Sequence, residues 1–413
     1  MGAPSAKTPI QIGRYAIHGV MSQGGMATVH YGRLMGPVGF SRAVAIKRLH
    51  PQFATDPEFI AMFVDEARLV SRIRHPNVVP TLDVVSENGE LFMVMDYVQG
   101  ESLARLLMAM RTRKELILPS VAAGIIAGVL RGLHAAHEAT HSTHGPLGIV
   151  HRDISPQNVM VGIDGVSRVL DFGVAKAFHR VQITRENQLK GKVPYMSPEQ
   201  LQGKEVNRQT DIFAAAIVLW ESLTTRRLFA ADRETQVMKK ILEAKIIPPS
   251  IFLAELHAGL DRRALRAIQK LDDVVLHGLA RDPKERFATA REMLAALEKS
   301  TDIAPPSVIG EWVERVAHEA LAERAARMAE IEPDAGPPMI VRDVIHAIRS
   351  IPPERPADSF RPTVSAVSVA KPGRPRHAAP SRLPTYAIAL MAIVLATLVG
   401  ALIVLATFLV LRL

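Results

Sequence analysis

The stretch His151-Arg152-Asp153-Ile154-Ser155-Pro156-Gln157-Asn158 places a carboxylate and a carboxamide in one loop. The carboxylate can take a proton from a hydroxyl, and the amide oxygen can help hold a metal. Asp171 ends the apolar run Val169-Leu170 and is followed by Phe172 and Gly173. There it can aim a second oxygen ligand while the glycine lets the chain turn away. Upstream, Val44-Ala45-Ile46 leads into Lys47, a cation at the end of a strand-like segment, and Glu66 follows as a partner for it. Glu199 and Arg286 are an acid and a base expected to pair further along the chain. Taken singly, Lys47 and Glu66 read equally well as a solvated pair, and Asp171 as a turn residue. As an ordered set they suit a reaction whose catalysis is mostly positioning and charge neutralisation on a phosphate.

These groups need a scaffold. Alternating apolar residues and turns dominate up to about Tyr97, with strands expected at Val44-Ala45-Ile46 and over residues 91–95. Between them, residues 57–74 repeat apolar side chains at helical steps through Phe59, Met62, Phe63, Leu69 and Ile73. After Gly100 the pattern turns helical for long stretches, with short strand-like pieces near Val159 and Val169 and a last helix over residues 290–297. A break at "TDIAPPS" precedes an Ala/Glu/Arg-rich helix over about residues 308–332, with Trp312 and Val316 on one face. It reads as a helix packed on the main body or as a linker.

With these residues in this order and spacing, the chain resembles the eukaryotic-like (Hanks-type) protein kinases, and most of all their bacterial serine/threonine branch. The resemblance runs over residues 12–298 and implies an α+β bilobal fold. A small β-rich lobe would cover about residues 12–97 and a larger helical lobe about residues 98–298. It implies ATP and Mg²⁺ as cofactors and protein serine or threonine hydroxyls as substrates, the protein itself included. By position, Lys47 would contact the α/β-phosphates with Glu66 as its partner, Asp153 would be the catalytic aspartate, and Asn158 and Asp171 would hold the metal. Ser22, Gly24, Gly25, Ala27 and Val29 match the glycine-rich loop, and Ala45 faces the nucleotide. Met95 matches the gatekeeper, and Asp96-Tyr97-Val98 the hinge, in which Asp96 and Val98 present backbone groups to adenine. Asp211 matches the aspartate that braces the catalytic loop.

Three departures stand out. Ser22 and Ala27 replace the outer glycines of the loop over the phosphates, while Gly24 keeps the middle one, where backbone must approach closest. Ser155 stands where the serine/threonine family has a lysine facing the transferred phosphoryl group; losing that cation would cost roughly 2–4 kcal/mol of transition-state stabilisation. Lys192 stands where the family has a threonine that contacts that lysine. The expectation is that Lys192 returns the missing charge from the activation segment; the alternative is a solvated lysine on a loop. Thr184 is the sole hydroxyl residue between Gly173 and Tyr195, hence the candidate phosphoacceptor, with Arg152 as its partner. The departures also support a rival reading, a catalytically weak pseudokinase serving as a membrane-tethered scaffold. A small-molecule phosphotransferase is disfavoured by "PYMSPEQ", which resembles a protein-substrate segment. His134, His137, His141, His144 and His151 crowd one region and raise a zinc alternative, but His137 and His151 match ordinary kinase positions.

Composition agrees with a globular body, at 48% hydrophobic and 22% charged residues. With Cys 0, disulfides and thiolate metal sites are excluded. Of the +9 formal charge, +5 lies after residue 351, where seven Lys/Arg face two Asp/Glu. That favours a membrane-proximal basic segment over a nucleic-acid-binding face, and no stacking aromatics or recognition helix points to nucleic acid. A helical extension is expected over residues 299–350, then a Pro/Arg-rich juxtamembrane linker over 351–385 and a transmembrane helix over 386–411. That run is uncharged from Ala387 to Leu411, about 37 Å of helix, enough to span a ~30 Å hydrocarbon core. Lys371, Arg374, Arg376 and Arg382 precede it, so the kinase side is expected in the cytoplasm, at the inner membrane. Ala392, Ala396 and Gly400 fall four apart, a spacing that suits a homodimer face but also arises by chance in an alanine-rich helix. The N-terminus fits neither a signal peptide nor a myristoylation site, and no sensor domain is expected beyond the span.

Overall fold

The computed structural model describes residues 9–36, 40–141, 145–172, 193–256 and 261–331. Lys192, Thr184, His144, the linker and the apolar run over residues 386–411 lie outside the described residues. The first lobe is a six-stranded antiparallel sheet in the order β1 (Ile10–Ile12), β2 (Tyr15–Gln23), β3 (Ala27–Met35), β4 (Ser41–Leu49), β6 (Glu90–Asp96) and β5 (Thr81–Glu87). Helix α1 (Pro57–Val70) lies between β4 and β5 in sequence. Asp56 caps it by accepting from the Glu58 N–H, and Pro57 opens it at a position whose missing N–H costs nothing. Its buried residues are Phe59, Phe63, Glu66, Ala67 and Val70. Glu66 therefore rides on the apolar, inward face, which is how a carboxylate comes to be buried there.

A short strand, β7 (Gly100–Ser102), leads into the second lobe, followed by α2 (Leu103–Arg113) and α3 (Pro119–His137). The two-residue strands β8 (Thr140–His141) and β9 (Gly145–Pro146) pair with each other between α3 and the loop that carries Asp153. β10 (Val159–Gly162) pairs with both β11 (Ser167–Val169) and β7. The remaining helices are α4 (Pro198–Leu201), α5 (Arg208–Thr224), α6 (Glu234–Glu243), α7 (Pro249–Leu256), α8 (Arg262–Gly278), α9 (Ala290–Ser300) and α10 (Pro306–Glu330).

α3 and α5 are the axle of this lobe. Every residue of α5 from Thr210 to Thr224 is buried, and α3 packs on α5, α9 and β11. Among the described residues α3 is the helix long and apolar enough to cross a membrane, and its burial within the lobe accounts for that composition. α10 packs against α2, α3, β7 and β10, so the Ala/Glu/Arg-rich segment is a packed helix. It runs two residues further toward the N-terminus than its sequence pattern suggests, because Pro306 starts it at the first helical position.

Candidate active site

Lys47 lies on β4, where Val29 is its partner in β3 and Met93 in β6. Its Nζ donates to Asp171 Oδ1 at 2.8 Å and to Glu66 Oε1 at 3.3 Å. Three expected residues, drawn from a strand, a helix and the far lobe, thus meet at one ammonium. Burial works against the charge on Lys47, but the carboxylates of Asp171 and Glu66 outweigh it and hold its pKa above the ordinary lysine value. Burial pushes the Glu66 carboxyl up, with Lys47 pulling the other way. Asp171 sits at φ 48°, in the left-handed region that costs a non-glycine residue energy, and its side chain is 40% exposed. Its carboxylate is therefore partly open to solvent while it holds Lys47.

The catalytic-loop candidates hang from Asp211, which is fully buried at the start of α5. Asp211 Oδ2 accepts from the His151 N–H at 2.8 Å and from His137 Nε2 at 2.8 Å, and Oδ1 accepts from the Arg152 N–H at 2.7 Å. Burial would raise the Asp211 carboxyl, but His137 and the neighbouring donors hold its pKa below the usual carboxylate value. These bonds pin the backbone on the N-terminal side of Arg152, which adopts φ 65°. The His151 ring then links two parts of the site. Its Nδ1 accepts from the Asp153 N–H at 3.2 Å, and its Nε2–H donates to the Leu170 carbonyl at 2.8 Å. Phe172 packs against it with the rings tilted by 48° and 4.6 Å between centroids. His137 and His151, which raised a zinc alternative, are thus committed to bracing this loop. Asn158 Nδ2 donates to the Asp153 carbonyl at 2.7 Å, closing the loop on itself.

The proposed nucleotide walls also converge. Ala45 and Met95 are paired across β4 and β6, and both belong to one apolar cluster with Val29 and Val98. Gly24 and Gly25 form the exposed tip between β2 and β3, next to exposed Ser22 near the end of β2, and the Gly24 N–H donates to the Ala27 carbonyl at 2.9 Å. A Cβ on Gly24 would sit 3.3 Å from that oxygen, whereas one on Gly25 would meet nothing within 4 Å. A side chain at the middle position would thus crowd the Ala27 carbonyl, while one at Gly25 would not. Ala27 is buried within β3 opposite Leu49, so its methyl is accommodated. Asp96 ends β6; its carboxylate pairs with Arg42 at 2.8 Å, and its N–H donates to the Pro80 carbonyl at 3.1 Å.

Several residues escaped the sequence reading. Met21 and Leu170 pack against the same cluster as Ala45 and Met95. Met160 is half-buried between buried Val159 and Val161 and pairs with Ser102, just past the hinge. Strand alternation at β10 was a signal for Met160. Gln200 also escaped. Its Oε1 accepts from the Ser197 N–H at 3.0 Å and its Nε2 donates to the Arg152 carbonyl at 3.0 Å. It thereby fixes the peptide that joins Arg152 to Asp153, from within the capping box of α4.

Glu199 and Arg286 pair as expected. Arg286 Nη1 and Nη2 each reach a Glu199 oxygen at 2.8 Å, and its other donors reach the carbonyls of Ala280, Gln209 and Arg281. Nearby, Tyr195 Oη donates to Glu221 at 2.9 Å. Ser155 is buried and opens the 3₁₀ turn over Pro156–Asn158.

The oxygen donors Asn158 and Asp171 fit a hard divalent cation, which takes few protein ligands and completes its shell with phosphate and water. The exposure of Asp171 leaves access for such a shell.

Comparison with known proteins agrees with this geometry. A family model described as "Protein kinase domain" matches residues 15–297. The chain is 39% identical over 287 residues to the tyrosine-protein kinase MasK of Myxococcus xanthus, covering 69% of this chain and 43% of that protein. It is 34% identical over 290 residues to the serine/threonine-protein kinase PrkC of Bacillus subtilis, covering 70% and 41% respectively. The chain thus spans less than half the length of these relatives. The PknI kinase domain of Mycobacterium tuberculosis superposes with a TM-score of 0.51 at 22% identity, covering 73% of this chain and 100% of that domain, a likeness of fold. A bilobal body with a cross-lobe Lys–Glu–Asp trio, matched by that model over most of its length, places this chain in the protein kinase family.

Proposed function

We propose that this protein transfers the γ-phosphate of ATP to serine or threonine hydroxyls of proteins, itself included. The observation that carries this reading is the meeting of Lys47, Glu66 and Asp171 opposite a loop whose backbone is locked onto Asp211. Lys47 is kept protonated by its two carboxylates and holds the α/β-phosphates. Asp153 orients the attacking hydroxyl and takes its proton, from a loop fixed by Asp211, His151 and Asn158. Asn158 and Asp171 hold Mg²⁺, which when bound neutralises charge on the phosphates. Ser22, Gly24, Gly25 and Ala27 cover the phosphates. Val29, Ala45, Met95 and Val98 enclose the adenine, with the Asp96 backbone beside it.

Lys192 supplies the cation that Ser155 does not, and Thr184 is the activation-segment phosphoacceptor, with Arg152 as its counter-charge. Both assignments rest on sequence position. The helix over residues 386–411 tethers the kinase to the inner membrane with the catalytic body in the cytoplasm, and its small-residue face supports a homodimer. The basic residues before that run support the orientation.

Incubating the full chain with labelled ATP and Mg²⁺, beside Asp153→Asn, tests the activity. Label in the wild type alone, on phosphoserine or phosphothreonine after hydrolysis, is the expected result. Label on phosphotyrosine would instead align the chain with the activity in the name of MasK. Equal, negligible labelling of both proteins would favour the scaffold reading. Lys192→Ala is expected to lower turnover far more than ATP affinity, with partial recovery on adding Ser155→Lys.

A further inference from the structure

The family match ends at residue 297, yet the helix beyond it is built into the body. Where α10 begins, the fit is backbone against backbone. A Cβ on Gly165 would lie 1.8 Å from the Pro306 carbonyl oxygen, and one on Gly310 would lie 2.2 Å from that of Ile163. Ile309, Trp312, Val313 and Val316 are buried in the main core of the helical lobe. Arg113 Nη2 donates to the Val316 carbonyl at 3.0 Å.

The helix then kinks at Ala317, where φ is −107° and ψ 19°. Between the kink and Glu330, Ala320, Leu321, Arg324 and Met328 are the half-buried residues, a stripe at helical spacing on an otherwise exposed segment. Arg324 carries that stripe to β7. Its Nη1 donates to the Gly100 carbonyl at 2.5 Å and its Nη2 to Glu101 Oε2 at 2.7 Å.

The target of this contact is what gives it meaning. The Glu101 side chain is 4% exposed, and Arg105 approaches it no closer than 3.8 Å. Its other oxygen accepts from the Ser102 N–H at 2.7 Å, and Ser102 caps α2 while pairing with Met160 on β10. Gly100 lies two residues past Val98, and a side chain there is impossible, since a Cβ would fall 2.2 Å from the Val161 carbonyl oxygen. The floor and the hinge of the nucleotide site are therefore joined through β7, and Arg324 is the strong partner of a buried carboxylate on that strand. Without it, Glu101 keeps Ser102 on one oxygen and the more distant Arg105, but its Oε2 loses its close charged donor, and a buried carboxylate that shifts to recover one drags its strand along.

We propose that Arg324 is a positioning residue for the nucleotide, which makes α10 a working part of the active site although it lies outside the kinase-family segment. This rests on the kinase reading above. Arg324 acts through Glu101 and the Gly100 carbonyl, setting the distance between the hinge and Met160, and it touches no reacting atom.

The test is binding of a fluorescent ATP analogue with Mg²⁺ to the full chain, with thermal midpoints measured in parallel. Arg324→Met should weaken binding roughly five- to tenfold, the scale of one ordinary hydrogen bond, because Arg324 acts on the nucleotide at one remove. Arg324→Lys, which keeps the charge but not the two-pronged contact, should weaken it by about half as much on a logarithmic scale. Glu319→Ala, on the exposed face of the same helix, should bind as wild type does. Wild-type affinity in a folded Arg324→Met chain overturns the proposal, as does equal weakening in Glu319→Ala. If Arg324→Met fails to fold, wild-type affinity in Arg324→Lys overturns it instead. A wild-type chain that binds no nucleotide overturns the kinase reading itself, a result distinct from either.

Discussion

The Glu199–Arg286 pair and the Lys47–Glu66–Asp171 trio use the same side-chain chemistry and differ in what surrounds it. Arg286 is 0% exposed, Glu199 5%, and each guanidinium donor has an acceptor. Phe213 also lies under the guanidinium, 4.7 Å from its centroid. In the trio Asp171 is 40% exposed, and the contacts cross between the lobes. A pair closed on all sides has one arrangement and holds the fold. A trio open on one side can exchange partners with an incoming phosphate or cation. Burial with complete pairing therefore marks a brace, and incomplete burial marks a working site.

Breaking each cluster should show that difference. The largest effect is expected for Arg286→Met, which strands the Glu199 carboxylate in the core and should cost about 3–5 kcal/mol of stability by chemical denaturation. Lys47→Met should cost less in stability and more in chemistry, lowering kcat/KM for phosphotransfer by roughly 10²–10³. Its stability loss should also depend on pH. With Lys47 gone, the already raised Glu66 carboxyl is raised further in the folded state. A group with a raised folded pKa favours the native state most below its unfolded value, and this contribution is lost as pH rises toward the folded value. The gap in stability between Lys47→Met and wild type should accordingly narrow as pH is lowered toward the ordinary glutamate value. A gap that widens on acidification would show that Glu66 is not the stranded group.

Asp211→Asn should fall next, at about 2–3 kcal/mol, because an amide cannot accept from three donors through a single oxygen. Its kcat should drop by roughly 10², the scale of a misplaced catalytic group. The smallest effect is expected for Gln200→Met, which removes the donor to the Arg152 carbonyl at about 1 kcal/mol and should lower kcat several-fold with little change in ATP affinity. An equal loss of ATP affinity in this variant would place Gln200 among the general braces.

Much of this was legible in the sequence where local order carried it. Lys47, Glu66, Asp153, Asn158 and Asp171 each sit in a short run whose neighbours suggest strand, helix or loop, and their order carried the family resemblance, which in turn pointed to Asp211. The Glu199–Arg286 pair was legible for the same reason. Met21 and Leu170 were not, because an apolar residue lining a cleft has the same sequence signature as one lining a core. Gln200 was hidden because its role depends on a loop 48 residues earlier presenting a carbonyl toward α4. Arg324 was harder still. It bonds across 223 residues to Glu101, from an alanine-rich helix whose kink at Ala317 divides its buried stripe.

The glycine contacts at the start of α10 bear on which piece of this chain could be exchanged with a relative. Gly165 belongs to the turn between β10 and β11, and Gly310 belongs to the helix; each leaves no room for a methyl against the other's backbone. A chimera joined at residue 297 would have to find glycine on both sides of the seam. It would otherwise leave Ile309, Trp312, Val313 and Val316 without the surface that now covers them. The natural splice point therefore lies after Glu330, so a transplanted catalytic body must bring its own α10.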